Sequence, residues 1–246
     1  MFLSNFGKKT IDALSFTSEI RELCEVLNRK LEQPDEVSSK TVVSHPGGFS
    51  KELSRRRLSI AESYIQVIRR LESNYYEERI SALENLVRQS FHAKTLKLPL
   101  NTARVQINLI KEAIKNRNNR RRQLELISDF GLASYGEEQV IRRLCKKFYL
   151  VEVPETGQPL KDLHMGWDYH VHDNLSEGRK TPSQVLLDAF IKGISEVVLA
   201  HYTLRDENII KEAYQAGQIL GVKVRIGIEF SVGPKWNRRH FMYLPP

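Results

Sequence analysis

Apolar positions between Ser50 and Phe91 recur with a helical period. Leu58, Ala61, Ile65, Ile68 and Leu71 fall at intervals of three and four, and Ile80, Leu83, Val87 and Phe91 continue the stripe. Asn74-Tyr75-Tyr76 interrupts the texture without Gly or Pro, which leaves one long helix or two abutting helices open. The breaker cluster Ser44-His45-Pro46-Gly47-Gly48 marks the boundary ahead of it. Thr102 to Lys115 carries Val105, Ile107, Leu109, Ile110 and Ile114, again helical, with Asn101 or Thr102 as the expected N-cap. Leu124 to Phe130 and Glu137 to Phe148 complete a helical region, with Gly131 and Gly136 as expected stops. No strand-rich pattern occurs before residue 148.

From Val153 to Leu163 two prolines and a glycine stand in a stretch without periodicity, which reads as a connector. The pattern then changes to short apolar strands separated by helix-length segments. Trp167 to His172 is a strand, Pro182 to Ile191 a helix, Glu196 to Ala200 a β-branched strand, Asp206 to Leu220 a helix and Val222 to Phe230 a buried strand. That order predicts parallel strands in an α/β sheet or barrel. The chain is thus expected to hold an all-helical region over 1–152, a linker over 153–163 and an α/β unit over 164–246.

Charge and histidine sharpen this division. The net charge is +8, and nearly all of the cationic excess lies before Met165. His164, His170, His172, His201 and His240 crowd into the last 83 residues. No apolar stretch approaches the roughly 18 residues of a bilayer-spanning helix, and the N-terminus lacks the order of a secretory signal. Cys24 and Cys145 have neither metal-knuckle spacing nor the density of a disulfide scaffold, so a reducing, cytoplasmic compartment is expected.

The chemistry gathers at strand ends. His170 and His172 stand two apart, so on a strand their side chains leave the same face and can share one cation. His201 closes the second predicted strand and Glu229 the third. The C-terminal edge of parallel strands is where α/β proteins assemble their sites. Imidazoles with a carboxylate suit zinc, iron or manganese.

The string DYHVHDNLSEGRKTPSQVLLDAFIKGISEVVLAHYTL, followed by GVKVRIGIEFS, resembles the PHP (polymerase and histidinol phosphatase) family. His170 and His172 match its opening HxH pair, Glu177 stands where the family usually has Asp, and Thr181-Pro182 matches the start of its first helix. His201 matches the histidine of its Asp-His pair and Glu229 its bridging glutamate. Ala200 replaces the usual Asp beside that histidine. His240 resembles a family histidine at the start of a following strand. The resemblance spans about residues 164–246 and implies the first βα units of a distorted βα barrel. It also implies divalent metal ions held by His170, His172, Glu177, His201, Glu229 and His240, and hydrolysis of a phosphorylated substrate by metal-activated water. The family's later ligands have no counterpart, so the expectation is a fragment of a longer protein.

Basic runs raise a second partner. Arg120, Arg121 and Arg122 end a cationic cluster that begins at Lys115, and clustered cations are the footprint of nucleic-acid binding, although such runs are more often solvated helix faces. Asn118-Asn119 favours a turn that would place these arginines at a helix junction. The alternative to a phosphoesterase is therefore a non-catalytic helical interaction or nucleic-acid-associated protein with a degenerate PHP-like scaffold.

Overall fold

The computed structural model describes residues 25, 28, 60–61, 63–92, 96–154, 166–204 and 206–245. Residues 63–70 are helical and a turn over 71–75 separates them from α1 (Tyr76–His92), so the stripe that starts near Ser50 is carried by two helices. Its first part, the breaker cluster, Cys24 and most of the linker lie outside the described residues. There follow α2 (Pro99–Lys115), α3 (Arg120–Ala133), α4 (Glu138–Lys147), β1 (Trp167–Val171), α5 (Pro182–Lys192), β2 (Glu196–His201), α6 (Glu207–Leu220), β3 (Lys223–Val232) and β4 (Arg239–Tyr243). No described residue before 148 is in a strand.

Local chemistry explains where the helices begin. Pro99 has the fixed φ and missing N–H that suit a first turn, so α2 starts ahead of the expected cap, after Leu98. Asn101 is released from capping and lies buried inside the helix. Its amide donates to the Val153 carbonyl at 2.7 Å and its oxygen accepts from the Val153 amide at 2.9 Å. The expected turn at Asn118-Asn119 is present, with Asn119 capping α3 through Arg122 N–H. Gly131 is no stop: it is buried within α3, which runs on to Ala133. Thr181 and Gln184 form a reciprocal capping box around Pro182 at the start of α5.

The sheet order is β1-β2-β3-β4. β1, β2 and β3 are parallel, as the alternation of strands and helices requires, while β4 returns antiparallel to β3. The fold is therefore α/β with a mixed sheet. On one face of β2, Val197 and Leu199 join the apolar core with Leu186, Phe190 and Ala213 of α5 and α6. That core continues without a break into Leu83, Leu86, Ile107, Ile110 and Ile127 of the helical region, so both regions share one interior. No helix of the described residues is long and apolar enough to cross a membrane.

Two buried cations stitch this interface. Arg79 of α1 donates Nε–H to Glu212 Oε1 of α6 at 2.8 Å, with Nη2 and Oε2 2.5 Å apart, and both residues are buried. Glu212 also accepts from the Ser183 amide at the start of α5. Arg104 of α2 has no exposed surface. It donates to Phe190 O at 2.9 Å and Ile191 O at 2.6 Å, the last carbonyls of α5, and to Val151 O and Asn101 Oδ1, both at 2.8 Å. Those carbonyls carry the negative end of the α5 dipole, which compensates the charge. Gly193 turns the chain away at φ +80°, and a Cβ there would come within 3.1 Å of Arg104 Nη2.

Arg104→Ala is expected to destabilise the protein by about 3 kcal/mol or more, because it strands several buried carbonyls at once. Arg104→Lys should recover only part of that loss, since one ammonium cannot span the same acceptors. Urea unfolding midpoints of the three proteins check the ordering.

Candidate metal centre

The cluster lies at the C-terminal edge of the parallel strands. The β2–β3 register pairs His201 with Ile228, which sets Glu229 one residue beyond the end of β2. In β1 an extra residue between Asp168 and Val171 breaks the register. Such bulges re-aim side chains at sheet edges. Here the bulge contains His170 and precedes His172, and Asp168 Oδ1 accepts the His170 amide at 3.3 Å.

Three ligand-type atoms converge. Glu229 Oε2 lies 3.1 Å from His170 Nε2 and 3.1 Å from His172 Nε2, and the two ring nitrogens are 3.2 Å apart. These residues form a group able to hold one metal ion. A tetrahedral zinc site with ligand bonds of about 2.0–2.1 Å has edges of about 3.3 Å, close to this triangle. The second oxygen of Glu229, Oε1, meets His240 Nδ1 at 2.5 Å. Glu229 itself is 3% exposed, whereas the rings of His170 and His240 stand about half open to solvent. The hydrogen bond from His240 and the neighbouring His170 and His172 outweigh burial and hold the Glu229 carboxyl below the usual carboxylate range.

Ser176 fixes the proton on His172. Its hydroxyl oxygen is 2.8 Å from His172 Nδ1 and 3.0 Å from the Ala200 carbonyl. The carbonyl can only accept, so the hydroxyl donates to it and accepts from His172 Nδ1–H. A neutral His172 ring then turns a bare Nε2 lone pair toward the Glu229 carboxylate. Two acceptors facing each other at 3.1 Å call for a proton or a cation between them. The loop that carries Ser176 is closed by Gly178, whose amide donates to Asp173 O at 2.9 Å. A Cβ on Gly178 would fall 2.2 Å from the His172 carbonyl oxygen, so only glycine fits.

Among the residues marked in the sequence, the structure brings together His170, His172, Glu229 and His240. It does not bring Glu177 or His201 to them. Glu177 is exposed and accepts the Tyr202 hydroxyl at 2.6 Å. That bond, with smaller contributions from burial and nearby carboxylates, pushes the Tyr202 phenol up to about 12. The Tyr202 ring stacks on His172, with centroids 5.8 Å apart. His201 is buried on the face of β2 that Val197 and Leu199 turn toward the helices, since side chains alternate along a strand. Its Nε2 lies 2.8 Å from Asp173 Oδ2, and its Nδ1 has no hydrogen-bond partner among the described residues. Arg121 and Arg122 pair with Glu125 on α3, and Arg120 is exposed beside them.

Sequence reading missed Ser176, Asp173 and Tyr202. The DNLSEG turn after the HxH pair was the available signal, because Ser and Asp in tight turns commonly bond to nearby backbone. Fold and cluster together define an α/β protein with two imidazoles and one buried carboxylate at its strand ends. No protein-family model, curated protein or solved structure matches this chain.

The tautomer assignment is open to direct measurement. Nitrogen-15 imidazole spectra of the metal-free protein are expected to show His172 carrying its proton on Nδ1. Ser176→Ala should convert it to a tautomer mixture. A ring protonated on Nε2 alone in the wild type would refute the assignment.

Proposed function

We propose that this protein is a divalent-metal-dependent phosphoesterase whose metal is held by His170, His172 and Glu229. The reading is carried by the meeting of His172 Nε2, its ring oriented by Ser176, with a buried carboxylate oxygen and a second imidazole, all within 3.2 Å. Two histidines and a glutamate form a known catalytic zinc ligand set that leaves a position open, and the same donors suit iron or manganese. The PHP resemblance of residues 164–246, with its distorted βα barrel, supports the same reading.

A divalent cation held there would neutralise charge on phosphoryl oxygens and supply a water of lowered pKa as nucleophile. The chain's own residues would do the positioning. Ser176 holds the His172 ring, Asp168 orients the His170 backbone, and Glu229 presents one oxygen to the histidine pair and the other to His240. A carboxylate divided in this way suits a bridge between two cations, with His240 on the second. Tyr202 and Glu177 form a polar rim over His172 on the solvent side. A phosphorylated substrate would approach from the exposed side of His170 and His240.

The test is metal content together with hydrolysis of p-nitrophenyl phosphate and its bis ester after reconstitution with zinc, manganese or iron. Glu229→Gln is expected to weaken metal binding on the order of 100-fold and to abolish hydrolysis, since the charge is lost while the shape is kept. Glu177→Gln should retain most of both. A wild-type chain that takes up no metal, or a Glu229→Gln variant that behaves as wild type, would refute the reading.

A further inference from the structure

The hairpin of β3 and β4 carries a second surface unrelated to the cluster. Register pairs Phe230 with Phe241, Val232 with Arg239 and Ile228 with Tyr243, so these six side chains share one face. Glu229, Ser231 and His240 leave from the opposite face. Phe230, Val232, Phe241 and Tyr243 are all exposed, and the Phe230 and Phe241 rings lie nearly parallel, 22° apart with centroids at 6.1 Å. At the turn, closed by Asn237 N–H to Pro234 O, Trp236 is 85% exposed.

Charge on the hairpin from Phe230 onward has one sign. Lys235, Arg238 and Arg239 are exposed, none makes an ion pair with a described residue, and no Asp or Glu occurs from Phe230 to the last residue. Aromatic rings on a strand face, flanked by unneutralised cations, are what single-stranded nucleic acid requires. The rings stack on bases without reading sequence, and the cations follow the phosphates. The basic cluster at Arg120 to Arg122 lacks such rings, and two of its three charges already face Glu125. Insertion into a bilayer fits less well. Lys235 and Arg238 stand at the tip beside Trp236, so they would have to enter the apolar layer first.

We infer that the exposed face of the β3–β4 hairpin, with Phe230 and Phe241 as stacking platform and Lys235, Arg238 and Arg239 as phosphate contacts, is a docking surface for single-stranded nucleic acid. Docking there is independent of the metal centre, because the platform and Glu229 lie on opposite faces of the same strand.

The experiment uses the full chain and a fluorescein-labelled fifteen-nucleotide oligothymidine, read by anisotropy over a salt series. Binding is expected with a log–log salt slope of about −2, the value for three phosphates neutralised on a single strand. The triple variant Lys235→Ala, Arg238→Ala, Arg239→Ala should flatten that slope. Phe230→Ala with Phe241→Ala should weaken binding at least tenfold at fixed salt. Trp236→Ala, an exposed turn substitution that leaves the core untouched, should weaken it severalfold and guards against misfolding of the strand variants. Glu229→Gln should bind as the wild type does, which separates this surface from the proposed chemistry. The inference is overturned if the oligonucleotide does not bind. It is overturned equally if Arg120→Ala, Arg121→Ala and Arg122→Ala together abolish binding while the hairpin variants do not. Hairpin-dependent binding of phosphatidylserine vesicles in place of the oligonucleotide would also overturn it.

Discussion

A guanidinium without any exposed surface holds the two halves of this protein in place. Arg104 belongs to the helical region, yet its donors end on the last turn of α5, in the α/β unit, and on Val151 just ahead of the connector. A cation so placed is tolerable only because each donor has an acceptor and because the helix end supplies negative potential. Once met, that requirement fixes the position of α5 against α2. Arg79 with Glu212 does the same for α1 against α6. Since α5 and α6 are the crossovers between successive parallel strands, helices far from the cluster constrain the sheet edge on which the cluster stands.

The candidate centre depends on that edge being rigid. Glu229 is buried in a strand that pairs with β2 as far as Ile228 and with β4 at Glu229 itself, so its carboxylate is shielded from water. Its charge is matched instead by imidazoles from the β1 edge and from β4. One histidine is oriented by a hydroxyl whose own proton is committed to a strand carbonyl. The chain of dependence runs from sheet pairing to Ala200 O, to Ser176, to the His172 tautomer and so to the direction of a lone pair.

The same alternation that gathers the cluster separates other residues from it. Ala200 stands on the opposite side of β2 from His201, which therefore joins Asp173 beneath the helices. A strand-end histidine can thus be placed correctly along the chain and still face away from the residues it was grouped with. Alternation on β3 and β4 has the same effect, giving one hairpin a face that carries the buried carboxylate and His240 and another that carries exposed rings and Arg239.

Much was legible from the chain alone. Periodicity marked the helices, because an apolar stripe is needed wherever a helix packs on a core. The order of strand and helix in 167–230 required parallel pairing, because a helical crossover returns the chain in the same direction. His170, His172 and Glu229 could be singled out because imidazoles and a carboxylate at the ends of parallel strands suit a cation, and His240 through the PHP resemblance. Tertiary structure decided the rest. The bulge in β1, the side to which His201 turns and the burial of Arg79 and Arg104 depend on contacts between residues 28 to 133 positions apart, which no local pattern records. Composition determined which side chains were available for chemistry; packing determined which of their atoms met.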